Sequence, residues 1–505
     1  MNAAVIEGAA MVFSIKTLLI MCGGVFLGVT FGAIPGLTSS IGIAIMLPIT
    51  FYLDPIPALS LLCAIYVGGA YGGSIAAILF GTPGTPESST TTFDGYPMTK
   101  KGLAKKALST ALYSSAAGNF LSSLLMIVMA VFIAKFALLV GPAEYFAIIL
   151  FSLVLIATVG SKGSVAKGLA SVMIGLFVSF IGADPITATP RFNFGSINLT
   201  SNIQLIPVLV GLFVGAEVLK HVSVPFVVQK MSKVENKEQN RITGKDIKRC
   251  IPCILTGSVL GSVLGALPAL NATVAATLNY TVGKKISKTP EEFGTGCIEG
   301  VASAESANNA TVGPALVPLL TLGIPGTGTA AIFLGALMMQ GVIPGPMIFE
   351  EHGSLVYGIF FCLIFSTILL VFIGKAVIHI AQYVLSVPRY IIYPIILLLC
   401  CAGAFCSNRR IFDIYILLAF MLLGYLMNNI RIPVLPLIIG FLLGNTMERT
   451  FRQTMLISKG SLVIFAKSPI ALIFLIVTAI MMVYFVISEI KDKKAQKGSE
   501  AEESL

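Results

Sequence analysis

The chain has 505 residues, of which 56% are hydrophobic and 11% are charged, with a formal net charge of +10 and a mean hydropathy of +0.93. Soluble domains carry roughly a quarter charged residues, so this composition excludes a soluble enzyme and predicts an all-α polytopic membrane protein. The basic residues lie in short loops and in the tail, which is typical of cytoplasmic segments and does not indicate a nucleic-acid partner.

Neither a secretion signal nor a bound metal is expected from the sequence. The N-terminal segment MNAAVIEGAA lacks basic residues, unlike a cleaved signal peptide. The nine cysteines lie mostly in apolar stretches without metal-ligand spacing, so we interpret them as core residues rather than disulfides or ligands. We therefore expect no cofactor and no tightly bound metal.

Apolar stretches of about 20 residues recur along the chain, and we expect about 12 transmembrane helices. Several of these stretches are short or contain Gly and Pro, so the list of candidates is longer than the expected number of crossings. The candidate spans are 12–33, 57–80, 106–134, 143–160, 164–182, 203–221, 249–266, 294–322, 329–343, 354–375, 388–405, 411–428, 433–447 and 470–488.

Two sequence patterns occur twice in the same order. GVTFGAIPGL (28–37) resembles GSVLGALPAL (261–270), and FGTPGT (80–85) resembles LGIPGT (322–327). Each half is therefore predicted to hold a Pro-broken hairpin and a discontinuous helix. Internal repeats with interrupted helices are typical of secondary transporters.

Loop charges suggest that the two repeats are inverted. Segment 99–106 is basic whereas its counterpart 348–353 is acidic, and 52–57 has no base whereas 284–288 is basic. Chance loop composition is the alternative. The predicted organisation is a first transmembrane repeat 1–229, a basic cytoplasmic linker 230–249, a second repeat with C-terminal helices 250–490, and a cytoplasmic tail 491–505.

The broken segments are the candidate substrate site. A Pro–Gly break in a membrane helix strands backbone groups, which is tolerated where it lines a cavity or is buried in protein. The helix that starts after a break presents free N–H groups to a carboxylate, and the helix that ends before it presents carbonyls to a cation. A packing kink is the alternative. The candidate substrate-binding residues are Pro35, Gly36, Thr38, Ser39, Ser40, Tyr71, Ser74, Pro83, Gly84, Thr85, Asn271, Thr273, Pro325, Gly326, Thr327 and Thr329.

Four polar residues near the second break are candidates for coupling to Na⁺ or H⁺. Glu305, Asn308 and Asn309 share one helical face, and a carboxylate at membrane depth indicates function. Glu299 is the fourth candidate, although capping of a helix start is an equal alternative. Asp94 is interpreted as a turn residue.

Three further features have structural interpretations. The glycines of YVGGAYGGS (66–74) are explained by close helix packing alone. The segment 182–195 is expected to form a structured re-entrant or surface loop, with ordinary loop structure more plausible than ligand binding. Within it, Arg191 is a candidate partner of Asp184 or of a substrate carboxylate.

Taken together, these motifs resemble the large membrane subunit of the bacterial tripartite tricarboxylate transporters. The resemblance runs through GAIPGLTSSIGIAIMLPITF, the segment from YVGGAYGGS to TKKGLAKKAL, GADPITATPRFNFG, FGTGCIEGVASAESANNA and LVPLLTLGIPGTGTAAIFLGALMMQGVIPGP. Two departures lie near the presumed site. This chain has Pro268-Ala269 where the family usually has Pro-Gly, and Ser303-Ala304 before Glu305 where the family usually has Ala-Pro.

The resemblance implies a multi-pass transporter in the bacterial inner membrane, driven by a Na⁺ or H⁺ gradient. It also implies a small four-helix membrane subunit and a periplasmic solute-binding protein as partners, with an organic carboxylate, such as citrate, as the substrate. A standalone carboxylate permease is the closest rival. An intramembrane enzyme or a solute sensor is less favoured, because the chain has three His and neither an H-E-x-x-H nor a G-x-S-x-G motif.

Overall fold

The computed structural model describes residues 2–137, 140–159, 164–222, 240–268, 270, 272–345, 347–384 and 389–503. Within these ranges the chain is helical apart from one antiparallel pairing of β1 (Gly182–Ala183) with β2 (Pro190–Arg191). The predicted all-α class is confirmed, and the loop 182–195 is ordered around this pairing.

Much of the predicted basic linker 230–249 lies outside the described residues, and helix α12 begins at Gly244, inside the predicted bounds of the linker. The helices fall into two groups, before and after the segment 223–239. Those before it are α1 Asn2–Val12, α2 Ile15–Ala33, α3 Ser39–Thr50, α4 Pro55–Phe80, α5 Thr92–Lys100, α6 Ala104–Ala137, α7 Pro142–Val159, α8 Val165–Ser179, α9 Ile197–Thr200, α10 Leu205–Val210 and α11 Ala216–Val222. Those after it are α12 Gly244–Gly265, α13 Ala272–Ile286, α14 Ile298–Ala310, α15 Leu316–Leu322, α16 Gly328–Met339, α17 Ile348–Glu351, α18 Gly353–Val384, α19 Arg389–Asn408, α20 Ile411–Asn429, α21 Val434–Ile457, α22 Val463–Lys467 and α23 Pro469–Glu503. Short 3₁₀ turns occupy Pro86–Ser89 and Pro290–Glu292, and a π-helical segment, Gly211–Gly215, joins α10 to α11.

Eight helices of the described ranges are long and apolar enough to cross a membrane: α2, α4, α6, α7, α12, α18, α20 and α23. Helices α3, α8, α16 and part of α19 are apolar but shorter. The protein is therefore a multi-pass membrane protein. The expected 12 crossings and the inverted orientation of the repeats stay predictions.

The predicted span 294–322 is two helices rather than one. Helix α14 ends at Ala310 and α15 begins at Leu316, with a turn between them. Pro314 lacks a backbone N–H and Gly313 has no side chain to hold a helical conformation, which explains the interruption. Helix α1 is a further difference, because the predicted spans largely omitted it, whereas α3 and α13 follow the two predicted hairpin tips.

The same glycine packing recurs in both halves. On α2, a Cβ at Gly28 would lie 2.4 Å from the Ile65 carbonyl oxygen of α4. On α12, a Cβ at Gly261 would lie 2.6 Å from the Ala307 carbonyl oxygen of α14. Only glycine allows helices to approach this closely. Each hairpin is thus seated against a buried helix, and the packing interpretation of YVGGAYGGS is confirmed.

A smaller core lies beside the main one. Helices α7, α8 and α21 share an apolar cluster that includes Leu153, Val172 and Ile439. The main core joins α2–α4 and α6 to α14–α16, α18 and their neighbours. The cavity described below lies where these two bodies meet, since Ile156 of α7 and Leu435 of α21 contribute to its lining.

Candidate functional site

The second broken segment forms a helix N-terminus. Helix α15 ends at Gly323, which has a left-handed φ of 62°. Thr327 then caps α16, its side chain accepting a hydrogen bond from the Ala330 N–H at 3.2 Å. Pro325 cannot continue a helix, so α16 starts afresh and its first N–H groups lack intrahelical partners.

The first hairpin tip forms a second helix N-terminus. Gly36 has a φ of 91°, which glycine adopts without strain and which reverses the chain after Pro35. Thr38 then caps α3 by accepting a hydrogen bond from the Ile41 N–H. Helix α3 therefore begins at Ser39, as the broken-hairpin prediction requires.

These two N-termini meet, although they are far apart in sequence. The hydroxyls of Ser40 and Thr329 are 2.6 Å apart. Beside them lies a cavity of about 280 Å³, near the lower end of the usual ligand-pocket range. Of the candidate substrate residues, the structure places these at the cavity: Thr38, Ser39, Ser40, Gly326, Thr327 and Thr329. The second hairpin tip adds Gly265, Leu270 and Ala272.

The cavity lining combines hydroxyl groups with apolar side chains and has no basic side chain among its described residues. Its one acidic side chain there is Glu87, and Asn308 contributes an amide. The favourable potential for an anion therefore comes from the positive ends of α3 and α16 and from hydroxyl groups.

The first broken segment does not line this cavity. A Cβ at Gly84 would lie 2.3 Å from the Gly32 carbonyl oxygen, and the Gly84 N–H donates to the Gly73 carbonyl at 3.1 Å. Thr85 is buried against Gly73 of α4 in the same turn, whereas Pro83 is exposed. Burial in protein is thus how this break is accommodated.

The remaining substrate candidates lie elsewhere. Tyr71 and Ser74 face Glu305 rather than the cavity. Thr273 lies in the first turn of α13 and is absent from the described lining, and Asn271 lies outside the described residues. Pro35, Gly36 and Pro325 shape the backbone next to the cavity. Whether any of these residues binds substrate stays a prediction.

Glu305 is fully buried and lies among hydroxyl groups from the first half of the chain. Thr91 donates a hydrogen bond to Oε1, and Ser115 donates to Oε2 at 2.9 Å. Ser74 lies beside the carboxylate without completing a hydrogen bond. Asn309, one turn further along α14, donates its amide N–H to Ser115 Oγ at 2.9 Å. We define Tyr71, Ser74, Thr91, Ser115, Glu305 and Asn309 as the Glu305 cluster.

Asn308 and Glu299 have different surroundings from Glu305. Asn308 lines the cavity and donates to the Ala70 carbonyl at 3.2 Å. Glu299 accepts a hydrogen bond from Arg249 Nε at 2.7 Å and another from Ser287 at 3.0 Å. Its ion pair with Arg249 favours a structural role, and its coupling role stays an untested prediction.

A cluster of potential metal ligands surrounds the same arginine. The potential ligand atoms of Glu292, Cys297 and Glu299, two carboxylate oxygens and one Sγ, lie within 4.8 Å of one another. The Arg249 guanidinium already bonds both carboxylates, so it supplies the positive charge that a metal would bring. Its hydrogen bond also lowers the pKa of Glu292.

The carbonyls at the end of α15 are largely occupied. Tyr145 donates to the Leu322 carbonyl at 2.8 Å, and the Gly345 N–H donates to Leu320 at 3.0 Å. Two of the carbonyls that the broken helix was expected to present to a cation thus already accept hydrogen bonds, and cation binding at this helix end stays a prediction. The Glu305 cluster offers better ligands.

Asp94 is not a turn residue, contrary to the sequence interpretation. It lies buried in the first turn of α5 and accepts hydrogen bonds from the N–H groups of Gly294, Gly296 and Cys297 at 2.8–2.9 Å. The Tyr280 hydroxyl donates to its other oxygen at 2.7 Å. Asp94 thereby fixes the loop before α14 to the first half of the chain.

Arg191 pairs with Asp184 at 3.3 Å, as predicted, and also with Glu448 at 2.8 Å. The sequence analysis missed five polar residues of the cavity and the Glu305 cluster: Tyr66, Glu87, Thr91, Ser115 and Thr311. Glu87 follows the first break by four residues, and Ser115 lies in a polar Ser-Ser pair within an apolar helix. Either feature could have identified these residues from the sequence, because polar side chains at membrane depth are uncommon.

Comparison with known proteins gives one family. The model of the tripartite tricarboxylate transporter TctA family matches residues 18–439. An uncharacterized 52.8 kDa protein of the TAR-I ttuC' 3' region of Agrobacterium vitis is 36% identical over 93% of each chain. An uncharacterized protein of the TAR-II ttuC' 3' region of the same organism is 35% identical over 47% of this chain and 98% of its own length. No solved structure gives a significant match.

Proposed function

The chain belongs to the tripartite tricarboxylate transporter TctA family, and on this premise we propose that it is the subunit that moves the substrate. In this proposal it imports a tricarboxylate or another organic carboxylate across the bacterial inner membrane. A Na⁺ or H⁺ gradient drives uptake, and a periplasmic solute-binding protein delivers the substrate. A small four-helix membrane subunit completes the assembly.

The meeting of two helix N-termini at one cavity carries the proposal. Helices α3 and α16 are each 12 residues long, and Ser40 and Thr329 near their starts are in hydrogen-bond contact. Free N–H groups, the positive dipole ends and hydroxyl donors all favour a carboxylate. Because α3 comes from the first hairpin and α16 from the second break, a relative movement of these elements would open or close the site.

The lack of a basic side chain in the described lining supports ion coupling. The two helix N-termini compensate only part of the negative charge of a carboxylate substrate. Glu87 adds a second carboxyl group at the cavity, which disfavours binding of an anion. A cation bound nearby would raise the affinity for an anionic substrate. This supports symport with a cation, with Glu305, Asn308 and Asn309 as the coupling residues.

Uptake measurements test the proposal. Cells expressing this chain are given a panel of radiolabelled carboxylates, with and without the two partner proteins and with and without a Na⁺ gradient. We expect uptake of at least one acid that requires both partners and an ion gradient. Uptake by this chain alone would support the standalone permease, and no uptake of any acid by the complete, inserted assembly would refute transport.

A pair of variants tests the cavity itself. Thr329→Val removes one hydroxyl donor, and a hydrogen bond to a charged group contributes about 1.5–3 kcal/mol. We therefore expect half-saturation of uptake to need roughly 10- to 100-fold more substrate. Thr30→Val is the matched control, because the Thr30 hydroxyl donates to the Phe26 carbonyl of its own helix at 2.8 Å. Equal uptake by both variants would place substrate binding elsewhere.

A further inference from the structure

The Glu305 carboxylate is buried without a cationic partner. Its exposed fraction is 0%, and no Lys, Arg or His of the described residues forms an ion pair with it. An isolated charge in a low-dielectric interior is strongly unfavourable. Three surrounding hydroxyls provide dipoles, but they do not neutralise the charge.

The Glu305 cluster also contains oxygen atoms that lack partners. Asn309 Oδ1, Tyr71 Oη and Ser74 Oγ are fully buried and make no hydrogen bond within the described part of the chain. The orientation of the Asn309 amide follows from its neighbours. Ser115 gives its proton to Glu305 and so must accept from Asn309 Nδ2, which leaves Asn309 Oδ1 as a lone acceptor. The amide and the carboxylate, which both contact the Ser115 hydroxyl, thus bring two acceptors to the same buried cluster.

We propose that the Glu305 cluster binds one dehydrated monovalent metal cation, Na⁺. The ligands are the Glu305 carboxylate and Asn309 Oδ1, with the hydroxyl oxygens of the cluster completing the shell. Hard cations prefer such oxygen ligands. One carboxylate balances one positive charge, whereas a divalent ion would leave an excess charge in the interior. A proton on Glu305 would instead supply one donor, which Asn309 Oδ1 could accept. The responses to Na⁺ and to pH described below distinguish the two ions.

The cation site adjoins the substrate cavity, so the inference deepens the proposed function and rests on it for its role in coupling. Asn308 and Ala70 line the cavity and are joined by a hydrogen bond of 3.2 Å. Their sequence neighbours, Asn309 and Tyr71, belong to the Glu305 cluster. Cation and carboxylate would therefore bind on opposite sides of one shared wall. Each would raise the affinity for the other by the same factor, as thermodynamic linkage requires.

Thermal unfolding of the purified full-length chain tests the cation site without substrate or partners. A ligand that binds only the folded state raises the unfolding temperature in a saturable way. We expect NaCl to stabilise the chain and choline chloride at equal concentration to leave it unchanged. Glu305→Gln should abolish this sodium response and raise the unfolding temperature in sodium-free buffer, because it removes an unpaired buried charge.

Tyr71→Phe separates a ligand role from a structural one. The Tyr71 hydroxyl has no hydrogen-bond partner among the described residues, so its removal should leave the sodium-free unfolding temperature unchanged. We expect the half-saturating Na⁺ concentration of this variant to rise at least several-fold. Tyr415→Phe is the matched control, because Tyr415 is exposed on α20, outside both the cavity and the Glu305 cluster, and should keep the wild-type sodium response.

Three results would overturn the cation site. They are equal shifts in NaCl and choline chloride, a sodium response that survives Glu305→Gln, and stabilisation by lower pH without any effect of Na⁺. The last result would identify a proton as the bound ion. Because this measurement needs no substrate, its failure leaves carboxylate transport standing, and failed uptake leaves the cation site standing.

Discussion

Replacing Asp94 tests the contact that joins the two halves of the chain. This carboxylate accepts three backbone N–H groups from the loop before α14 and one hydroxyl from α13. Asp94→Ala removes all four acceptor contacts at once. Asp94→Asn keeps one carbonyl oxygen for the N–H groups but removes the charge.

The size of the effect follows from these contacts. A buried donor without a partner costs about 1–3 kcal/mol, and water can reach some of the part-buried N–H groups once Asp94 is shortened. We therefore expect Asp94→Ala to lower the free energy of unfolding by about 3–5 kcal/mol. The loss for Asp94→Asn should be about 1–2 kcal/mol, since the three N–H hydrogen bonds to Oδ1 persist without charge assistance while the Tyr280 hydroxyl loses its acceptor.

Equilibrium unfolding in mixed micelles of a denaturing detergent measures these differences. Asp54→Ala is the control, because Asp54 forms an exposed ion pair with Lys16 and its loss should have no measurable effect. If Asp94→Ala cost less than about 1 kcal/mol, the three N–H groups would have alternative partners and Asp94 would not anchor α14.

Three further substitutions test other parts of the structure. Gly84→Ala should destabilise the fold by about 1–3 kcal/mol by forcing the first break away from α2, whereas Gly23→Ala, with nothing within 4 Å of its Cβ, should be tolerated; equal thermal stability of the two variants would contradict the packing. Tyr145→Phe should cost about 1–3 kcal/mol, because the last carbonyl of α15 loses its donor; an unchanged melting temperature would show that water replaces the hydroxyl. Backbone N–H groups, first that of Thr187, lower the pKa of Asp184, so its stabilising effect is complete above about pH 4 and is lost as the pH falls through the folded-state value. The difference in melting temperature between wild type and Asp184→Asn should therefore be largest at neutral pH and shrink in acid; a constant difference would exclude this linkage.

Local sequence signals predicted the helical elements and their interruptions. Hydropathy identified most of the long spans, and the Pro–Gly patterns located the turn at Gly36 and the fresh helix start at Thr327. These features depend on residues adjacent in sequence, because Gly and Pro act on their own backbone. The prediction of a single span at 294–322 was wrong, because mean hydropathy does not detect the turn at Pro314.

The sequence by itself determined that this chain is a helical membrane protein with two tips and two breaks, since apolar length and backbone chemistry are local properties. Only the tertiary structure decided which of these elements share a cavity. It brings Ser40 to Thr329 and buries Gly84 of the first break against glycines. It also pairs Glu299 with Arg249, whereas no cationic side chain of the described ranges pairs with Glu305. Such pairings join residues far apart in the chain, and no local pattern encodes which distant helix supplies a donor, a charge or an empty space.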